Sequence, residues 1–266
     1  MKTVTINKVK VRIFEEDDLI QKLGFSNEES ELILKYQKAF PELLQDDGLR
    51  LNSVKKLYNE LGFNVTHYSR WVKRNIIGNK YFFEISDWEV LSQRATTEKG
   101  GTIAKDYSIS VEFAKHLCMQ GDGDKCFMIR NYFILLEKAL RNFESWSATR
   151  GVEKEGWKTM KKQIKQWCER KGFEDIDYMY IREAQLLNQS LTGFKASELR
   201  SYVGAKDDIT RDSLEQKVNK ALDELQTLNT SLLMSDLDFD FRKQIIKTTC
   251  ENKYSDLYIN NIKEVS

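Results

Sequence analysis

Residues 106–140 read DYSISVEFAKHLCMQGDGDKCFMIRNYFILLEKAL, and the fold of the first half of the chain turns on how they are parsed. The apolar residues up to Ile109 predict a short strand over 103–109. Ser110 comes next, with Glu112 two residues on. A serine hydroxyl can accept from the free amides of a first helical turn, and a carboxylate there suits the helix dipole, so a helix running to Met119 is predicted. Beyond the glycine-aspartate turn, Ile129, Tyr132, Phe133, Leu136, Leu140 and Phe143 recur at spacings of three, one, three, four and three residues. That is one face of a long helix.

The turn itself resembles a ligand loop only in composition. A calcium loop starting at Asp122 needs glycine five positions on and a bidentate glutamate eleven on, where the chain has Phe127 and Phe133. A phosphate loop needs G-x-x-x-x-G-K-[ST], which Gly121 and Gly123 do not supply. The better reading is a hinge between two helices, with glycine ending the first and Asp124 capping the second.

Working outward, Val4 and Ile6, then Val9, Val11 and Ile13, alternate around Asn7-Lys8, which predicts a hairpin. Helical patterns run through Leu23 and from Asn27 to Phe40, ended by Pro41, the only proline. Residues 52–76 read as two short helices around Gly62, and YFFEI (81–85) reads as a strand, separated from the next by a polar loop containing Gly100-Gly101. The stretch ESWSATRGVEKEG, polar and glycine-bearing, breaks the long-helix period and predicts a domain boundary, giving an N-terminal domain over 1–147 and a helical one over 148–266. The fold class is mainly α with a small β component.

The whole chain has 266 residues, long enough for about two domains. Its 42 basic and 41 acidic residues leave a formal charge of +1, so affinity for nucleic acid has to be local. No apolar run approaches the ~20 residues of a membrane span, and a cytoplasmic protein without membrane contact is expected. Four cysteines without a C-x-x-C pair predict free thiols, and two distant histidines, His67 and His116, supply neither a zinc set nor a catalytic triad. No enzyme and no cofactor is expected.

Two stretches resemble known families. Asp106, Tyr107, Ser110, Ala114, Lys115, Leu117, Met119, Arg130, Tyr132, Phe133, Ile134 and Glu137 follow the signature of the AntA/AntB phage antirepressor domain, and Leu57, Leu61, Trp71, Val72, Lys73 and Phe82 fit its first half. The resemblance spans about 51–140 and departs from the family in its aspartate-rich turn and at His116. YIREAQLLNQSLTGFKASELR (180–200) is similar to an element near the C-terminus of many prophage regulators. The resemblance implies a winged-helix-like antirepressor domain followed by an all-α domain, in a regulator of lysis and lysogeny whose partner is a phage repressor or another regulatory protein.

Three surfaces are candidates for contact. Residues 54–73 also fit a helix-turn-helix frame, with Gly62 at the ninth place and a large Tyr58 at the fifth, where a small residue is usual. Its second helix would present Thr66, His67, Ser69, Arg70, Lys73 and Arg74 to DNA or to an acidic protein. Over 52–76, five cations face one carboxylate, Glu60. The basic segment 151–172 interleaves Trp157 and Trp167, which suits stacking or, more simply, packing. Leu214, Val218, Ala221, Leu225, Leu228 and Leu232 repeat at four and three residues, a seam for a homo-oligomer or for packing within its own domain.

Overall fold

Alternating residues pair the first two strands of the computed structural model: β1 (Lys2–Ile6) and β2 (Val9–Ile13) run antiparallel with Ile6 opposite Val9. The structure describes residues 1–6, 9–44, 50–91, 105–121, 123–203 and 210–258, so the predicted Asn7-Lys8 turn and the Gly100-Gly101 loop lie outside the described residues. Two compact units emerge, one of Met1–Glu16 and Phe25–Leu140, the other of Asp17–Gly24 and Arg141–Ser266.

In the first unit, α1 (Asn27–Tyr36) starts with a reciprocal cap: the Ser26 hydroxyl accepts from the Glu29 amide, and the Glu29 carboxylate accepts from the Ser26 amide. Pro41, which cannot donate to a continuing helix, opens a 3₁₀ turn instead (Pro41–Leu44). A three-stranded antiparallel sheet follows in the order β3 (Arg50–Leu51), β5 (Asp106–Ser110), β4 (Trp88–Leu91). Between β3 and β4 lie α2 (Val54–Glu60), a 3₁₀ turn (Val65–His67), α3 (Tyr68–Val72) and a widened π turn (Lys73–Ile77).

The predicted strand over 81–85 is corrected. Tyr81, Phe83 and Ile85 alternate, yet the strand is WEVL, paired with β5 through Trp88 opposite Ile109 and Leu91 opposite Asp106. The residues before it make a tight turn closed by the Ile85 amide donating to the Trp88 carbonyl at 2.8 Å. The strand predicted over 103–109 is β5, shifted to 106–110; residues 103 and 104 lie outside the described set.

Ser110 does cap the next helix, α4 (Val111–Met119), accepting from the Phe113 amide at 3.1 Å. The long helix α5 then runs from Asp124 to Lys171 without a break, through the polar stretch that interrupts its apolar period. Gly156 is not a breaker there: a Cβ at this position would sit 2.6 Å from Asp223 Oδ1 and 2.7 Å from Gln226 Oε1, so glycine admits a neighbouring helix.

That neighbour is α8 (Gln216–Met234), which packs in the second unit with α6 (Ile176–Thr192), α7 (Ala196–Tyr202) and α9 (Phe239–Lys253). The core is built from Met160, Ile164 and Trp167 of α5, Leu187 and Leu191 of α6, Leu222 and Leu225 of α8, and Ile246 of α9. Inside it, Arg242 clamps Glu183 with two hydrogen bonds (2.7 and 2.8 Å) and also donates to Asn229 Oδ1 at 2.7 Å. Charge buried this deeply is tolerated because each guanidinium nitrogen of Arg242 and each carboxylate oxygen of Glu183 finds a partner.

Candidate interaction surface

One carboxylate organises the part of the first unit that faces solvent with positive charge. Asp106, buried at the start of β5, accepts from the Ser53 hydroxyl (2.6 Å), the Lys55 amide (2.9 Å), the Tyr68 hydroxyl (3.3 Å) and its neighbour Tyr107's amide (2.8 Å). Ser53 in turn caps α2 by accepting from the Lys56 amide at 3.0 Å. A negative charge at the first turn of α2 suits the helix dipole. The same group fixes the start of α3 through Tyr68, whose hydroxyl is pushed to a higher pKa by burial first and by the Asp106 charge second.

Aromatic packing sets the gap between the two helices. Tyr58, large where a small residue is usual, stands edge-on to Tyr68 (5.2 Å) and Trp71 (5.1 Å), packs on Phe63 (5.2 Å) and donates to the Asn64 carbonyl at 2.7 Å. Gly62 allows the reversal: its φ is +79°, where a side chain is strained, and a Cβ would lie 2.7 Å from Lys125 Cδ. Asn64 then caps the following turn, accepting from the Thr66 amide at 3.0 Å and the Thr66 hydroxyl at 2.8 Å.

With Tyr68, Val72 and Ile76 buried, the other side of this helical stretch is open. Thr66, His67, Ser69, Arg70, Lys73 and Arg74 are all exposed, as spacings of three and four residues on one helical face require. The structure therefore brings these six residues onto one solvent-facing side.

The other motif residues are mostly framework. Tyr107 and Ala114 are buried, the first against Trp88 at 6.0 Å, and Trp71 is half-buried against Tyr58 and Phe63. Tyr132 and Phe133 are buried with Phe40 in an aromatic cluster that Tyr36 joins through Tyr132. Lys115 and Glu137 pair across α4 and α5, and Arg130 is half-buried with its Nε lacking a hydrogen-bond partner. At the turn between these helices, Gly121 is required by close packing and not by a left-handed cap: a Cβ would collide with Cys126 Sγ. Asp122 lies outside the described residues. All four cysteines are free and buried, and burial pushes the Cys118 thiol up to about 12.

The family model of the AntA/AntB antirepressor matches residues 53–121, the segment that holds α2, α3, β4, β5 and α4. Residues 53–121 are an AntA/AntB antirepressor domain. The match begins at the cap of α2 and ends at the glycine packed on Cys126, so it takes in both the Asp106 hub and the basic face of α3. The second half of the chain has no family assignment, and searches of curated proteins and of solved structures returned no match. Among the described residues, no helix is long and apolar enough to cross a membrane.

Beyond the antirepressor domain, the heptad-like seam is taken up inside its own unit. Leu214, Val218, Ala221 and Leu225 are buried, while Leu228 and Leu232 pack partly buried against the same core. The tryptophans of 151–172 do not form an exposed stacking pair. Trp167 is buried, stacked on Phe173 at 5.3 Å, and Trp157 is half-buried with the Arg211 guanidinium 5.3 Å from its ring. Asp106 was missed as an organiser from sequence, because its partners Ser53 and Lys55 lie more than 50 residues upstream.

Proposed function

We propose that this chain is a phage antirepressor-like regulator of lysis and lysogeny that binds a repressor protein and keeps it from its operators. The observation that carries the reading is the antirepressor domain at residues 53–121, with the exposed cationic side of α3 as its outward face. The mechanism is binding without bond-making. The antirepressor shifts its partner only as far as its preference for the DNA-incompetent state allows, so a preference of about 3 kcal/mol moves the equilibrium roughly 150-fold.

A second reading is favoured by a separate observation. The order of elements, with α2 and α3 between β3 and β4 and the sheet ordered β3-β5-β4, resembles a winged helix, in which α3 would enter a major groove. In that case Arg70, Lys73 and Arg74 contact phosphates or base edges, and the chain is a DNA-binding regulator in its own right.

One titration separates the two. Fluorescence anisotropy of labelled operator fragments from the phage genome is measured with the chain alone, with the repressor alone and with both. Release of the repressor by a chain that does not itself bind the DNA supports the antirepressor. Tight, salt-sensitive binding by the chain alone, lost on Arg70→Ala and Lys73→Ala, supports the DNA reader.

A further inference from the structure

Immediately after the basic helix, the chain exposes side chains that ordinarily seek burial. Tyr81, Phe83 and Ile85 are 84%, 65% and 78% exposed. Between and around them the turn is fixed. Phe82 points inward and stacks on Phe113 at 4.1 Å, with the rings 8° from parallel. The Asp87 carboxylate accepts from the Phe83 amide (2.8 Å) and the Ser86 hydroxyl (2.9 Å), and the Arg50 guanidinium donates to the carbonyls of Ile85 (3.3 Å) and Ser86 (3.0 Å).

Ile85 itself has a φ of +77°, a left-handed conformation that a β-branched residue adopts only under constraint. Among the described residues nothing in burial rewards that strain, because the side chain is exposed. Strained positions of this kind cluster at binding sites, and exposed groups of large apolar residues mark contact surfaces.

Charge indicates what covers the tip. Between Glu60 and Glu84 the sequence has no acidic residue, while Arg70, Lys73, Arg74 and Lys80 are exposed on the segment that leads into it. A phosphate backbone would match the cations and leave the aromatics unmatched. A protein cleft that is apolar within and carboxylate-bearing at its rim matches both.

We propose that Tyr81, Phe83 and Ile85 form a preset apolar tip that enters an acid-rimmed cleft on the repressor, an inference that rests on the antirepressor reading above. Pre-organisation explains the fixed turn: a tip already in its bound shape loses little conformational freedom on docking.

The test is the affinity of the full-length chain for the purified repressor of the same phage, measured by interferometry alongside thermal melting. Tyr81→Ser/Phe83→Ser should weaken binding about a hundredfold with an unchanged melting temperature. Ile85→Gly, which relieves the left-handed strain, should weaken binding while melting no lower than wild type. Lys73→Glu/Arg74→Glu should slow association about tenfold at low salt.

If the wild type binds the repressor and the tip variants bind equally well, the tip proposal fails and the antirepressor reading stands. If the wild type does not bind the repressor, both fall. Loss of operator binding in the tip variants would make the tip a DNA wedge, and loss of a wild-type dimer would make its occupant a second copy; either result overturns the proposal.

Discussion

Replacing Asp106 with alanine removes an acceptor shared by α2, α3 and β5. The Tyr68 hydroxyl and the Tyr107 amide are buried, and each loses its acceptor at about 1–2 kcal/mol. The first turn of α2 loses a carboxylate worth about 0.3–1 kcal/mol, although Ser53 keeps its own cap on Lys56. Removing a buried charge offsets part of this. The net cost is about 3 kcal/mol, and Asp106→Asn, which keeps an acceptor oxygen, should cost about 1 kcal/mol. Because the chain has two units, a global melt does not isolate the effect, so amide hydrogen exchange along α2 and α3 is the assay. Exchange there should accelerate about 150-fold in Asp106→Ala, while α6 and α9 keep their protection. An acceleration below about threefold in α2 would refute the hub.

Four further outcomes follow from burial and packing. The thiols of Cys118 and Cys250 are pushed up to about 12 by burial, so native protein should react with thiol reagents at pH 8 only at the rate of unfolding. A folded pKa raised above the unfolded one gives stability that is complete below the ordinary thiol range of about 9 and lost as pH rises toward 12, so urea midpoints should fall over that window. Arg242→Met strands the fully buried Glu183 and should cost about 3–5 kcal/mol by chemical denaturation, most of it recovered when Glu183→Leu is added. Gly121→Ala, with its Cβ driven against Cys126, should cost about 1–3 kcal/mol, whereas Gly123→Ala, which meets open space, should cost less than about 0.5 kcal/mol.

Local chemistry made much of this architecture readable. Ser110 announces α4 because its cap is four residues long and self-contained, and the α5 stripe is visible because helix period needs no distant partner. The basic side of α3 follows from the same arithmetic. What was not legible depends on pairing across distance. YFFEI has the composition of a strand, but β5 pairs with WEVL, and nothing within five residues encodes that choice. Gly156 and Gly121 look like a breaker and a cap, yet both are contacts with other elements: α8 for the first, and the side chains of Cys126 and Phe63 for the second. The seam over Leu214–Leu232 carries a coiled-coil spacing that periodicity alone cannot distinguish from the core of its own bundle, where the structure places it. Asp106 reads as one more charged residue until Ser53, Lys55 and Tyr68 are brought to it.

The most direct test of the account is the stoichiometric release of the phage repressor from its operator. With labelled operator saturated by repressor, added chain should lower the anisotropy to that of free DNA, with an endpoint at a fixed small ratio of chain to repressor and no anisotropy rise when the chain meets the DNA alone. A repressor that stays bound at large excess of chain, or a chain that binds the operator itself, would contradict it.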